Sequence, residues 1–146
     1  MNYLYILSVY NQIKITMCGI NGFSFSDKDL IKKMMVFTKN RGPDANGIYS
    51  EKEITLSHDR LSIIDLNSRS NQPMKYKNFI ISYNGEIYNY KELRKELQTS
   101  GNLFSTNSDT EVILQLFDKY KFDAFKKLSG IFSISIWDTL TKTLNL

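Results

Sequence analysis

The chain predicts a layered α+β domain, and three observations carry that prediction. Apolar residues recur at helical spacing in three stretches, which open near Ser26, Asn89 and Ser108. Short strand-like runs lie between and around those stretches. One of the runs, Phe79-Ile80-Ile81-Ser82-Tyr83, is apolar enough for a sheet covered on both faces.

In order, Gly19 to Phe25 reads as a first strand. Ser26 is the expected N-cap of a helix reaching about Lys39, with Leu30, Met34 and Phe37 on its inner face. Asn40-Arg41-Gly42-Pro43-Asp44 breaks that helix. Short strands are expected near Gly47–Tyr49 and Ile54–His58, then an apolar strand at Leu61–Leu66 and a polar loop from Asn67 to Lys77. The run from Phe79 is expected to stop at Asn84-Gly85, a turn dipeptide. Asn89 then caps a helix with Tyr90, Leu93 and Leu97 inward and Gly101 beyond its end. Ser108 with Glu111 three residues on has the capping-box pattern, followed by Ile113, Leu116, Phe117 and Tyr120 on one face. Ile131 to Trp137 alternates as a half-buried strand does, and Thr143 to Leu146 reads as one more strand.

Composition narrows the function. The 146 residues make one domain at most. The net charge of +4 comes from 19 basic and 15 acidic residues with no Lys/Arg run, so neither a nucleic-acid nor a membrane partner is expected. A single cysteine rules out an internal disulfide framework and suits a reducing, cytoplasmic setting. No apolar stretch approaches the roughly 20 residues that span a bilayer. No cluster of His, Cys and Asp has metal-ligand spacing, so no metal and no cofactor are expected in this chain.

The lone cysteine, Cys18, sits directly behind Met17. As an N-terminal residue it would carry a thiol and a free α-amine, with ordinary pKa values of about 8.5 and about 7.7–8.0. Such an amine is able to take the thiol proton; the amide nitrogen of a chain-internal cysteine is not. Residues 1–17 are therefore read as an extension: a misassigned start, a cleaved propeptide or a real, retained segment. They lack the basic region and small-residue cleavage site of a secretory signal.

Three other groups are chemically loaded: Arg60 in His-Asp-Arg-Leu-Ser-Ile-Ile-Asp, Asn84-Gly85-Glu86, and Asp109 at a helix start. Taken singly, each has a plain reading as a surface ion pair, a turn and a first-turn helix residue. Taken in order, MCGI, NRGPD, HDRLSIID, QP, YNGEIYN and SDTEVIL closely resemble the class II glutamine amidotransferase domain of glutamine-hydrolysing asparagine synthetases. The resemblance runs from Met17 to Leu146.

That resemblance implies a four-layer αββα sandwich of the N-terminal-nucleophile hydrolase type, partial over residues 18–146 and incomplete at its C-terminal end. It implies Cys18 as the nucleophile toward L-glutamine, and the Asn84 side chain and Gly85 N–H as the oxyanion hole. Arg60 is implied as the grip on the α-carboxylate, with Ile64 in the same pocket. Glu86 and Asp109 are implied as acceptors of the α-ammonium. Arg41 and Asp44 are expected to hold the loop around the nucleophile, and His58 to pack or hydrogen-bond. A C-terminal synthetase domain using ATP and Mg is implied as the partner, along with a possible homodimer of the full-length protein. Asn40 stands where the family usually has histidine. Two other readings stay open: an amidotransferase serving a sugar or surface polymer, and an inactive truncated fragment, for which an exposed sheet edge and marginal stability are expected.

Overall fold

The computed structural model describes residues 17–146. The expected extension lies outside them except for Met17. The described chain forms two antiparallel sheets. β1 (Gly19–Phe23), β2 (Ala45–Glu51) and β3 (Ile54–Arg60) make the first, in the order β1-β3-β2. The second is ordered β4-β5-β6-β7, from β4 (Met74–Tyr76), β5 (Phe79–Ile87), β6 (Gly130–Asp138) and β7 (Thr143–Asn145). α1 (Lys28–Thr38) covers the first sheet, and α2 (Tyr90–Thr99) with α3 (Asp109–Tyr120) covers the second. The layers thus run helix, sheet, sheet, helices.

The two-residue period of a strand explains how the sheets meet. Every residue of β3 is buried. Ile54 and Leu56 pack with Ile80 of β5 and Trp137 of β6 between the sheets. The alternate residues of β3 face α1 with polar groups. Thr55 donates to the Phe25 carbonyl (2.8 Å), and Asp59 accepts from the Thr38 hydroxyl (2.6 Å). On β5 the same alternation sends Phe79, Ile81 and Tyr83 to the other core, with Val112, Ile113 and Leu116 of α3 and Leu93 and Leu97 of α2. Each such side chain, fully buried, contributes about 1.5–3 kcal/mol.

Several elements differ from the expectation. The α1 cap is Asp27, whose Oδ1 accepts from the Asp29 (3.0 Å) and Leu30 (2.8 Å) N–H groups; Ser26 pairs with Ser50 instead. The inner face of α1 is Ile31 and Met35, while Phe37 is 87% exposed. Leu61–Leu66 is a loop rather than a strand, with Ile63 and Leu66 exposed. β5 does not turn at Asn84-Gly85 but continues to Ile87, paired throughout with β6. Asn89 precedes α2 without capping it: its side chain donates to the Lys127 carbonyl (2.9 Å) and accepts from the Ser129 N–H (3.0 Å). Ser108 caps α3 by accepting from the Glu111 N–H (3.3 Å). The Glu111 carboxylate turns to Ser105 and Thr106 rather than back to Ser108.

Among the described residues β7 pairs only with β6 and β4 only with β5, so the second sheet has a short strand at each edge. No helix of the described residues is long and apolar enough to cross a membrane.

Candidate active site

The four chemically loaded groups meet at one end of the sandwich. Cys18 enters β1, Arg60 leaves β3, Asn84-Gly85-Glu86 forms the far part of β5, and Asp109 opens α3. All of them, with Ile64, line one cleft of about 250 Å³. Strand pairing sets this up: Gly19 faces Asp59 across β1–β3, so the residue before β1 comes beside the end of β3.

Cys18 is half-buried, and its sulfur lies against the backbone of Leu61. The Leu61 N–H donates to Sγ at 3.3 Å, and the thiol donates to the Leu61 carbonyl at 3.7 Å. Burial raises the thiol pKa above its ordinary value, while the Leu61 hydrogen bond and the Arg60 charge oppose that rise. The NRGPD loop holds both sides of this contact. Arg41 Nε donates to the Cys18 carbonyl (3.3 Å), Asp44 Oδ2 accepts from the Ser62 N–H (2.7 Å), and the Asp44 N–H donates to the Arg60 carbonyl (3.0 Å). Gly42 allows the approach, since a Cβ there would lie 2.1 Å from the Asp59 carbonyl oxygen.

Arg60 is only 6% exposed, which excludes the surface ion pair. Its Nη1 donates to the Asn67 carbonyl (3.2 Å) and Asn71 Oδ1 (2.6 Å), and its Nη2 to the Ile64 (3.2 Å) and Asp65 carbonyls. A guanidinium has five N–H donors, so this leaves the Nε–H and the positive charge for a ligand. The sequence did not announce that the fork would fold its own following loop.

Gly85 has φ +153°, and a Cβ there would meet the Ile131 carbonyl oxygen at 2.3 Å. Only glycine fits that backbone. Asn84 is half-buried beside it, and Glu86 is exposed at the mouth of the cleft. Asp109 is 6% exposed and accepts from the Tyr83 hydroxyl at 2.8 Å. Burial raises its pKa, with the Tyr83 hydrogen bond pulling the other way. His58 is fully buried and donates from Nε2 to the Tyr83 carbonyl (3.0 Å); its Nδ1 has no partner among the described residues. Burial lowers the His58 pKa to about 4, so it is neutral at neutral pH.

Sequence reasoning missed Tyr83, Gln72 and Leu61, which also line the cleft. Gln72 Oε1 accepts from the Tyr83 N–H (2.7 Å), and its Nε2 donates to the Thr110 hydroxyl (3.2 Å). Each lies in a quoted motif, HDRLSIID, QP or YNGEIYN, without being singled out there.

Residues 17–146 match the family described as the glutamine amidotransferase domain. The chain belongs to that family.

Among curated relatives, the domain is 40% identical over 132 residues to glutamine-hydrolyzing asparagine synthetase 1 of Bacillus subtilis (strain 168), a match covering 84% of this chain and 21% of that protein. It is 39% identical over 146 residues to putative glutamine-hydrolyzing asparagine synthetase 2 of Methanocaldococcus jannaschii, covering 84% of this chain and 28% of the relative. For glutamine-hydrolyzing asparagine synthetase 1 of Arabidopsis thaliana the identity is 40% over 131 residues, with 84% and 22% covered. The amidotransferase domain therefore spans only a fifth to just over a quarter of the length of these relatives. Among its described residues no group of three or more His, Cys, Asp or Glu side chains is placed to hold a metal ion.

Proposed function

We propose that this domain hydrolyses L-glutamine through a Cys18 thioester and supplies the ammonia to an ATP- and Mg-dependent unit that amidates aspartate. The observation that carries the reading is the convergence of Cys18, Arg60, Asn84-Gly85 and Asp109 on one cleft from four separate elements. The similarity to glutamine-hydrolyzing asparagine synthetases suggests the acceptor. Cytoplasmic placement and a synthetase unit in the same polypeptide belong to this proposal, as does the removal of residues 1–17.

Removal of those residues frees the Cys18 α-amine, which takes the thiol proton. The thiolate sulfur attacks the side-chain amide carbon of glutamine. Charge develops on the amide oxygen, where the Asn84 side-chain NH₂ and the Gly85 N–H are the donors. Such a donor is worth about 2.7–4 kcal/mol in the transition state. Collapse of the tetrahedral adduct expels the amide nitrogen, which leaves as ammonia carrying the proton returned by the α-amine. Water then cleaves the thioester to glutamate. Arg60 supplies positive charge for the α-carboxylate, while Glu86 and Asp109 supply negative charge for the α-ammonium.

A glutamine analogue with a diazoketone in place of the carboxamide tests the reading. It loses N₂ and alkylates the attacking sulfur. Peptide mass mapping is expected to place one adduct on Cys18, competed away by glutamine. Absence of the adduct from a chain beginning at Cys18 overturns the proposal. The presence of sugar- or polymer-linked amides among the products of the complete protein would favour the other acceptor.

A further inference from the structure

Tyr83 lines the cleft, and each of its polar groups is committed. Its N–H donates to Gln72 Oε1 (2.7 Å), its carbonyl accepts from His58 Nε2 (3.0 Å), and its hydroxyl donates to Asp109 Oδ2 (2.8 Å). The ring is 3% exposed and packs in the core against α3. Backbone and ring are therefore fixed independently of the hydroxyl, which has one acceptor only. Gln72 spends its other amide end on Thr110, the residue after Asp109, so the same network also fixes the start of α3.

Asp109 supplies the second half of the argument. It is a carboxylate at 6% exposure, lining the cleft, and among the described residues no lysine, arginine or histidine forms an ion pair with it. A buried carboxylate without a cation is costly unless a ligand brings one. Tyr83 donates to Oδ2, and the Thr110 and Ile87 N–H groups also steady the carboxylate, but none of them brings the positive charge that a ligand would.

We propose that the Tyr83 hydroxyl is a positioning group for substrate recognition, fixing the Asp109 carboxylate so that it receives the α-ammonium of glutamine. This rests on the glutamine reading above and adds to it a residue that does not itself touch the substrate. Tyr83 acts through Asp109 in two ways. It stops the carboxylate from rotating, and it offsets the burial that would otherwise favour the protonated, uncharged form.

The test compares two ligands on the full chain by calorimetry: L-glutamine, and glutaramic acid, which is glutamine without its α-amine. Tyr83→Phe keeps the ring and the backbone bonds and deletes only the hydroxyl. Glutamine affinity is expected to fall about tenfold, the loss of one hydrogen bond to a charged group. Glutaramic acid affinity is expected to stay within about twofold, because that ligand has no ammonium to place. Asp109→Asn, with Tyr83 intact, is expected to erase the same preference for glutamine, and the double variant is expected to lose little more than either single one. An unchanged preference in Tyr83→Phe, or equal weakening of both ligands, overturns the proposal. So does a preference retained in Asp109→Asn, which decides the matter even if Tyr83→Phe folds poorly. A wild-type chain that binds neither ligand overturns the glutamine reading itself and this inference with it.

Discussion

The backbone N–H of Leu61 lies 3.3 Å from the sulfur of Cys18, across 43 residues of sequence. One donor from the end of β3 thus meets the residue that enters β1. The contact fixes the thiol beside the charge of Arg60, and it exists only because β1 and β3 pair in register. Asp44 holds the next N–H along, that of Ser62, at 2.7 Å. Asp44→Ala should therefore loosen the loop behind the sulfur. Rates of thiol alkylation by a small electrophile should change by several-fold while the fold persists, as read by circular dichroism. An unchanged alkylation rate would remove Asp44 from that role.

Arg60→Lys should damage both stability and glutamine binding. Lysine keeps the charge but offers donors from a single point, so it cannot reach the Ile64, Asp65 and Asn67 carbonyls and Asn71 together. The acceptors are half-buried, with Asn67 exposed, so each lost bond costs about 1 kcal/mol, near the net value of an ordinary hydrogen bond. Denaturant unfolding should show a loss of a few such bonds, and KM for glutamine should rise more than kcat falls. A variant with wild-type stability would mean that the loop holds itself.

His58 predicts an acid-sensitive fold. Its pKa falls from 6.5 in the unfolded chain to about 4 in the folded one, because burial disfavours the charged ring. Between those values the unfolded chain binds more protons than the folded one. Stability from this residue is therefore fully present above pH 6.5 and is lost as pH falls toward about 4. The loss is of order 3 kcal/mol. Urea unfolding at a series of pH values measures it, and His58→Asn should flatten the slope in that window. An equally steep slope in the variant would place its origin elsewhere.

Gly85→Ala should be among the most damaging single changes. The new methyl group would lie 2.3 Å from the Ile131 carbonyl oxygen at a backbone φ of +153°, so β5 and β6 have to part at the proposed oxyanion donor. Glutamine hydrolysis is expected to drop by about 10²–10³-fold, as for loss of such a donor, together with a lower unfolding midpoint. Near-normal activity would rule out the Gly85 N–H as a donor.

Local signals in the sequence carried much of this structure. Phe79 to Tyr83 is buried as an apolar run should be, and Ser108 caps α3. The alternation read for β6 does not carry through: Ile134 to Trp137 is buried on both faces, while Phe132, read on the inner face, is exposed. Where two local answers were equally good, the choice lay in long-range packing. α1 carries Leu30, Ile31, Met34, Met35, Val36 and Phe37, so more than one stripe fits a helical period. Contact with β1 and β3 selects Ile31 and Met35. Leu61–Leu66 has strand-like composition, yet Arg60 captures its carbonyls and holds it as a loop. Asn84-Gly85 is a turn pair by composition, but its alignment with Ser133 and Phe132 keeps it in the sheet. The motif residues of the cleft were legible because several motifs occurred in order. Tyr83 opens one of those motifs, but its bond to Asp109 was not legible, since no spacing rule links a strand tyrosine to an aspartate 26 residues away.

The most direct measurement is ammonia release from L-glutamine by two forms of the protein, one beginning at Met1 and one beginning at Cys18. The predicted result is turnover by the Cys18-first form alone, abolished by Cys18→Ala and greatly slowed by Cys18→Ser. Equal turnover by both forms would contradict the role of the Cys18 α-amine as base. Turnover that survives Cys18→Ala would contradict the nucleophile itself.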